Sequence, residues 1–389
     1  MNIAVPMSPR VHRIAVSVFF FIAGLTFASW ASRIPDIKEK LQLSEAGLGS
    51  VLLALPLGLM ASLFLTGWLV SRFGSRKVVI ATAIAYPSIL LLLSLAATTF
   101  QLVAGLFFFG LFANFVNISM NTQAVGVEVL YGRSIMASFH GLWSLAGFAG
   151  AAIGTLFVSS GISPFFHFMM IIIACALLIL VSYKSTLPSV GEVRSKQPIL
   201  VLPDKHILVL GLIAFCCMIC EGAMADWSGV YFKNVVQTPA AYTTVGYVAF
   251  TATMATGRFL GDWLVTKLGV KKMLQISGTL IASGLLLAVF FPNIITATAG
   301  FLLVGFGVSS VVPIAYGLAG RSTTMSAGMA LSAVSTIGFL GFLFGPPVIG
   351  FIAQGSSLRF SFALIALLGL GTSLLAGKVK AGAVGPLNG

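Results

Sequence analysis

Of the nine acidic residues in this 389-residue chain, Glu221 stands inside a long apolar run, Ile207 to Phe232. A carboxylate carried that deep into a bilayer costs roughly 2.5–3.5 kcal/mol on insertion scales, so it faces a cavity or a partner and has a task. A helix beginning at the head of that run puts Glu221 about 21 Å in, near the middle of a membrane. There a carboxyl group can trade its charge for a proton as the medium it faces changes. Asp226 follows five residues later, about 140° around the same helix. It is a second titratable candidate, a partner for a base such as Arg33, or an acid wetted at a cavity mouth. His140 has Trp143 and Ser144 on its own helix face at i+3 and i+4. Its imidazole titrates in the useful range and could relay a proton or hold a solute; its plainer role is to satisfy a neighbouring carbonyl.

Polar and aromatic groups around these three could hold a solute. Asn114, Asn117 and Asn121 form an amide stripe at i, i+3 and i+7, suited to a polar ligand or to interhelical hydrogen bonding. Gln123 points to another face. Trp143 offers a flat apolar contact. Trp30 and Trp227 offer the same, although an aromatic belt at the outer interface is their default role. Arg258 and Asp262, at i and i+4, can pair along one helix. With Arg33, Arg72 and Arg76 they make up the candidate gating set.

The elements that must position these groups are membrane helices. The chain is 58% hydrophobic and 8% charged, with a mean hydropathy of +1.06, more apolar surface than a soluble protein of this length could bury. Ile14 to Trp30 reads as an uncleaved first span, since no small-residue cleavage site follows it. The net charge of +13 is gathered in particular loops, which fits topology signals and anionic lipid headgroups and argues against nucleic acid. Cys175, Cys216, Cys217 and Cys220 all fall in apolar segments, and the Cys217/Cys220 pair lacks a second pair for zinc. No metal or cofactor is implied.

Gly, Pro and charge divide the chain into about twelve apolar stretches. They run over 13–34, 45–70, 77–97, 101–126, 135–158, 165–186, 207–232, 242–266, 272–291, 294–318, 325–349 and 359–378. With the N-terminus inside, the inner loops collect Arg72, Arg76, Lys77, Arg133, Lys184, Arg194, Lys267, Lys271 and Arg321 among others, while the outer loops hold few bases. That asymmetry puts both termini on the cytoplasmic side of a bacterial inner membrane. Residues 187–205, rich in Pro, Ser and charge, form a linker between halves 1–186 and 206–389.

The halves repeat. GWLVSRFGSRK at Gly67 to Lys77 matches DWLVTKLGVKK at Asp262 to Lys272, with Trp68 and Trp263 offset by 195. ASWAS around Trp30 matches ADWSG around Trp227, and Gly132-Arg133-Ser134 recurs as Gly320-Arg321-Ser322. Each pair falls on one predicted side, so the repeat is parallel: six helices plus six, as in a secondary transporter with a central site.

The repeated loop resembles the major facilitator superfamily signature G-x-x-x-D-R-x-G-x-[RK]-[RK], through Gly67, Arg72, Gly74, Arg76 and Lys77. Ser71 and Thr266 stand where that signature has Asp. WASRIPDI at Trp30 to Ile37, FHGLWSLAG at Phe139 to Gly147 and EGAMADW at Glu221 to Trp227 resemble the bacterial YbjJ-type branch, distantly related to the fucose/proton symporters. The resemblance implies an all-α membrane protein of the major facilitator fold.

The expected function is secondary transport by alternating access, with Glu221 taking the coupling proton, shared with Asp226 or His140. A small polar, sugar-like solute imported by symport is the first reading. Proton-antiport efflux of cationic amphiphiles and a solute receptor without flux are the alternatives. H-E-x-x-H, G-x-S-x-G and P-loop motifs are lacking, so neither a membrane enzyme nor direct use of ATP is expected. The expected partners are a small-molecule solute, protons and membrane lipids, with the protein a monomer.

Overall fold

In hydrocarbon a backbone can satisfy its own N–H and C=O groups only as a helix or a closed barrel, and this chain chooses helices throughout. The computed structural model describes residues 8–132, 135–188, 204–322, 324–325 and 327–379, with the side chains of Phe64, Ala137, Asp262, Ala327 and Gly328 outside the described set. Most of the expected linker, and Arg133 and Arg194, also lie outside the described residues.

The chain forms two compact units, Met1–Gln42 with Val51–Arg194, and Leu43–Ser50 with Ser195–Gly389. Helices α1 (Pro9–Ala31), α2 (Ile34–Lys40), α4 (Ala54–Phe73), α5 (Ser75–Leu95), α6 (Thr99–Tyr131), α7 (Met136–Ser159) and α8 (Pro164–Ser182) belong to the first, and α3 (Glu45–Leu52) spans the change of unit. The second unit holds α9 (Lys205–Asn234), α10 (Val245–Leu268), α11 (Val270–Phe290), α12 (Ile294–Val308), α13 (Val311–Ala319), α14 (Ala327–Gly355) and α15 (Leu358–Ala376). Among the described residues, eleven helical stretches are long and apolar enough to cross a membrane. Helix α10 is the twelfth expected stretch. At 24 residues it is long enough, but Arg258, Asp262 and Lys267 make it more polar.

Two expected spans are broken, each by a proline. Pro56 has no N–H to give the Leu52 carbonyl, and the 45–70 stretch divides at Leu53 into α3 and α4. Pro313 likewise frees the Ser309 carbonyl, and the 294–318 stretch divides at Ser309–Ser310 into α12 and α13. The Ser309 hydroxyl, turned back to donate to the Phe306 carbonyl at 2.7 Å, adds to that break. Side-chain caps start several helices: Thr98 on α6, Asp204 on α9, Asn293 on α12 and Ser357 on α15.

The sequence repeat reappears as a packing repeat. In the first unit α1 packs on α7, and α6 on both α4 and α5; in the second, α9 packs on α14, and α12 on both α10 and α11. Gly110 of α6 leaves room for the Leu55 carbonyl of α4, and Gly305 of α12 does the same for the Phe250 carbonyl of α10. Both members of this pair are offset by 195, the spacing of Trp68 and Trp263. Small residues let membrane helices approach backbone to backbone, where dispersion replaces the missing hydrophobic drive. The repeated loops match as well: Gly74 has φ 83° and ψ 146°, and Gly269 has φ 78° and ψ 152°. Before each turn a base lies over an exposed indole, Arg72 at 5.6 Å from the Trp68 ring centre and Lys267 at 5.1 Å from that of Trp263.

That backbone conformation is nearly closed to residues with a Cβ. Gly74→Ala and Gly269→Ala are each expected to lower stability by about 1–3 kcal/mol. Gly67→Ala, on a helix with open space around it, is the neutral control. Thermal unfolding of the three purified variants in detergent tests this.

Candidate functional site

Helix α9 is held at its start by Asp204, whose Oδ1 accepts from the His206 and Ile207 amides at 2.7 and 2.9 Å while Oδ2 accepts from the Thr324 hydroxyl. The Thr324 hydroxyl first, then these amides, hold the Asp204 carboxyl below its usual range. Further along, the helix is buried on nearly every side, and Tyr231 anchors its far end by donating to the Ala288 carbonyl at 2.8 Å. Glu221 is thus carried on a rod fixed at both ends.

Arg258 of α10 meets that carboxylate. Its Nη2 lies 3.5 Å from Glu221 Oε1, with the two side chains 21% and 17% exposed. Sequence spacing suggested Arg258–Asp262 along one helix; Arg258 reaches across to α9, and the Asp262 side chain lies outside the described residues. Around the pair stand Tyr316, whose hydroxyl sits beside Ser335, and Tyr247, which is within electrostatic reach of both Glu221 and Asp226. Asp226 is buried in the same unit, as is Tyr247. At 3.5 Å and partial exposure the ion pair can open: protonation of Glu221 would remove its hold on the guanidinium. The described residues contain no group of three or more His, Cys, Asp or Glu side chains placed to hold a metal.

Arg33, a base that the sequence offered as one possible partner for Asp226, is engaged by groups of its own unit. It is 2% exposed and makes three hydrogen bonds inside the first unit: Nε donates to His167 Nδ1 at 3.0 Å, Nη1 to Asp36 Oδ2 at 2.7 Å, and Nη2 to the Ile162 carbonyl at 2.7 Å. His167, which the sequence reading overlooked, is fully buried, with the Phe157 ring edge-on at 5.1 Å. Accepting at Nδ1 leaves its proton on Nε2. The signal available beforehand was weak, a histidine just after Pro164 in an apolar helix.

The amide stripe divides. Asn114 is buried and donates to Ser62 Oγ of α4 at 2.6 Å, a bond between helices. Asn121 donates to the Asn117 carbonyl and side chain at 2.7 and 3.0 Å, and Asn117 stays exposed. Gln123 is a structural pin, donating to Ser75 Oγ at 2.8 Å and accepting from the Leu187 amide at 2.9 Å. His140 is exposed with Phe20 edge-on at 5.3 Å, and half-buried Trp143 lies 6.4 Å from Phe27.

Trp30 and Trp227 do not form a lipid-facing belt. They are 1% and 0% exposed, and each buries an indole N–H that has no acceptor among the described residues. Arg76 donates to the Tyr183 and Lys184 carbonyls, both at 3.3 Å, just past the end of α8, where a cation is favoured. Arg72 stays with Trp68 and Phe73.

Comparison with known proteins gives a consistent picture. The Major Facilitator Superfamily sequence profile matches residues 15–268 and 238–380. An uncharacterised MFS-type transporter of Yersinia pestis is 36% identical over 372 residues, covering 93% of this chain and 97% of that protein. The crystal structure of the nucleoside transporter NupG aligns with a TM-score of 0.74 at 11% identity, covering 94% of this chain and 98% of that one. A D-xylose-proton symporter aligns with a TM-score of 0.74 at 14% identity, covering 95% and 97%. At such identities the two structures establish the fold alone.

Two outcomes follow from the hydrogen bonds of these charged groups. Arg33→Gln strips His167, Asp36 and the Ile162 carbonyl of one shared donor, and is expected to cost about 3 kcal/mol in detergent unfolding experiments. Asp204→Ala is expected to cost about 1 kcal/mol at neutral pH. Because folding lowers the Asp204 pKa below 3.8, its contribution is present above that value and lost as pH falls through the lower folded one. The gap between wild type and Asp204→Ala should therefore hold steady from neutral pH downward and close only below 3.8 in melts across pH.

Proposed function

Because the chain belongs to the Major Facilitator Superfamily, and so is a multi-pass membrane transporter and not an enzyme, we propose that it is a proton-coupled symporter whose coupling group is Glu221. The supporting observation is the Glu221–Arg258 contact of 3.5 Å. An ionised Glu221 neutralises Arg258 in a setting where either charge alone would be expensive. Binding a proton releases the guanidinium, so the two protonation states favour different arrangements of α9 and α10. A solute that binds one arrangement better shifts the balance by the difference in its affinities, which is the condition for coupling.

Asp226 and Tyr247 extend this electrostatic set along α9 and α10, and His140 is the titratable group offered by the first unit. The solute is small and polar. The two indole N–H groups of Trp30 and Trp227, without acceptors among the described residues, are donors for a solute or a buried water, and Trp143, Asn117 and Asn121 supply further contacts. Asn114 is better read as a brace between α4 and α6. Arg72 and Arg76, with Arg258 and Asp262, serve the loops and helix ends that move. We place the protein in a bacterial inner membrane with both termini in the cytoplasm, as its Lys and Arg distribution favours. The six-helix halves are assigned to 1–186 and 206–389.

Proteoliposomes with an imposed pH gradient and a solute panel test this. Glu221→Gln should lower gradient-driven accumulation by at least about tenfold, the factor that 1.4 kcal/mol represents. Counterflow exchange, which needs no net proton movement, should persist. Driven accumulation equal to wild type in that variant contradicts the assignment of Glu221. Solute moving against the proton would make the protein an antiporter, and binding without flux would make it a receptor.

A further inference from the structure

At the end of the first unit where α1 begins, a groove of about 630 Å³ opens between α1, the last residue of α6 and the start of α7. Arg10, Arg13 and Tyr131 line its polar end. The Arg13 guanidinium lies 5.5 Å from the Tyr131 ring centre, which orients it while leaving its edge free to meet an anion. Ile14, Val18 and Phe21 continue one apolar wall along α1, and Leu142 of α7 faces them. We propose that this groove binds a small organic anion, its carboxylate held by Arg10 and Arg13 and its apolar flank against Ile14, Val18, Phe21 and Leu142.

Three features favour a solute. The volume falls in the roughly 300–1,000 Å³ range of small-molecule sites. The wall is not continuously apolar, since Ser17 places a hydroxyl among the aliphatic side chains. Arg13, Ser17, Val18, Phe21, Tyr131 and Leu142 are half-buried, as a concave site requires, while Arg10 and Ile14 are exposed. Beyond the groove the α1–α7 seam carries Phe20 against His140 and Phe27 against Trp143, so aromatic and titratable groups continue along the same two helices. Two guanidiniums at one end and hydrocarbon along the sides match a carboxylate on an apolar skeleton, because planar bidentate pairing is what Arg supplies.

This inference rests on the reading of the chain as a solute carrier, but binding can be read without proton coupling. The purified full-length protein is melted in detergent with hexanoate or benzoate, with hexanamide or benzamide as uncharged matches, and with added phosphatidylglycerol as a lipid arm. The acids should raise the unfolding midpoint by about 2 °C at concentrations well above their dissociation constants, and the amides should not. Arg13→Gln should abolish the acid shift and Arg13→Lys should keep part of it. Arg10→Gln, at an exposed position, provides a second test should Arg13→Gln fold poorly. The proposal is overturned if neither acid shifts the midpoint, if amides act as well as acids, or if the acid shift survives in the Arg10→Gln/Arg13→Gln double variant. An Arg13-dependent shift given by phosphatidylglycerol alone also overturns it, in favour of a lipid site. Glu221→Gln should keep the acid shift. Its failure in driven transport and a loss of the acid shift therefore bear on separate claims.

Discussion

A charge inside a membrane has to be paired, wetted or neutralised, and the contact between Glu221 and Arg258 meets that demand in the second unit. The rest of that unit is arranged to keep the two groups within reach. Asp204 and Tyr231 fix the ends of α9, and Gly305 brings α12 hard against α10, the helix that carries Arg258. In the first unit the same demand is met differently. Arg33 is satisfied three times over by His167, Asp36 and a carbonyl, so it works as a rivet. A pair at 3.5 Å with partial exposure can be opened by a proton, and a buried guanidinium held by three hydrogen bonds resists opening. On the proposed function, coupling and rigidity fall to different charges.

Duplication supplies the frame, and divergence within it supplies the site. Gly74 and Gly269 share one strained turn, Trp68 and Trp263 share one cation–aromatic contact, and Gly110 and Gly305 share one close helix crossing. The counterpart of Glu221 under the Trp30/Trp227 match is Gly24, which lies against the Trp143 carbonyl of α7. A side chain at that position would push α1 and α7 apart. One copy of the repeat thus uses the position for tight packing and the other for a carboxylate.

Much of this was legible beforehand because membrane sequences have a small vocabulary. An acid in an apolar run and a repeated eleven-residue loop are both rare, so Glu221 and the two-fold repeat stood out from residue types alone. The partner of each charge did not. Arg33 and His167 are 134 residues apart, and only the packing of α8 beside α1 brings them together. Arg258 had a partner at i+4 on paper, and its contact with Glu221 of the neighbouring helix was not visible in the sequence. The Asn stripe looked uniform because periodicity reports only a face. Ser62 on α4 then takes Asn114 and leaves Asn117 to Asn121. Pro56 and Pro313 were visible as residues, but which carbonyl each would free depends on the helix register.

The most direct test of the account is infrared difference spectroscopy of the protein in lipid, following the protonated-carboxyl stretch as pH is cycled. A carboxyl band that titrates reversibly in wild type and vanishes in Glu221→Gln, with Arg258→Gln altering its position or midpoint, is the predicted result. A titrating band that survives unchanged in Glu221→Gln would mean that another group carries the proton, and would contradict the central claim.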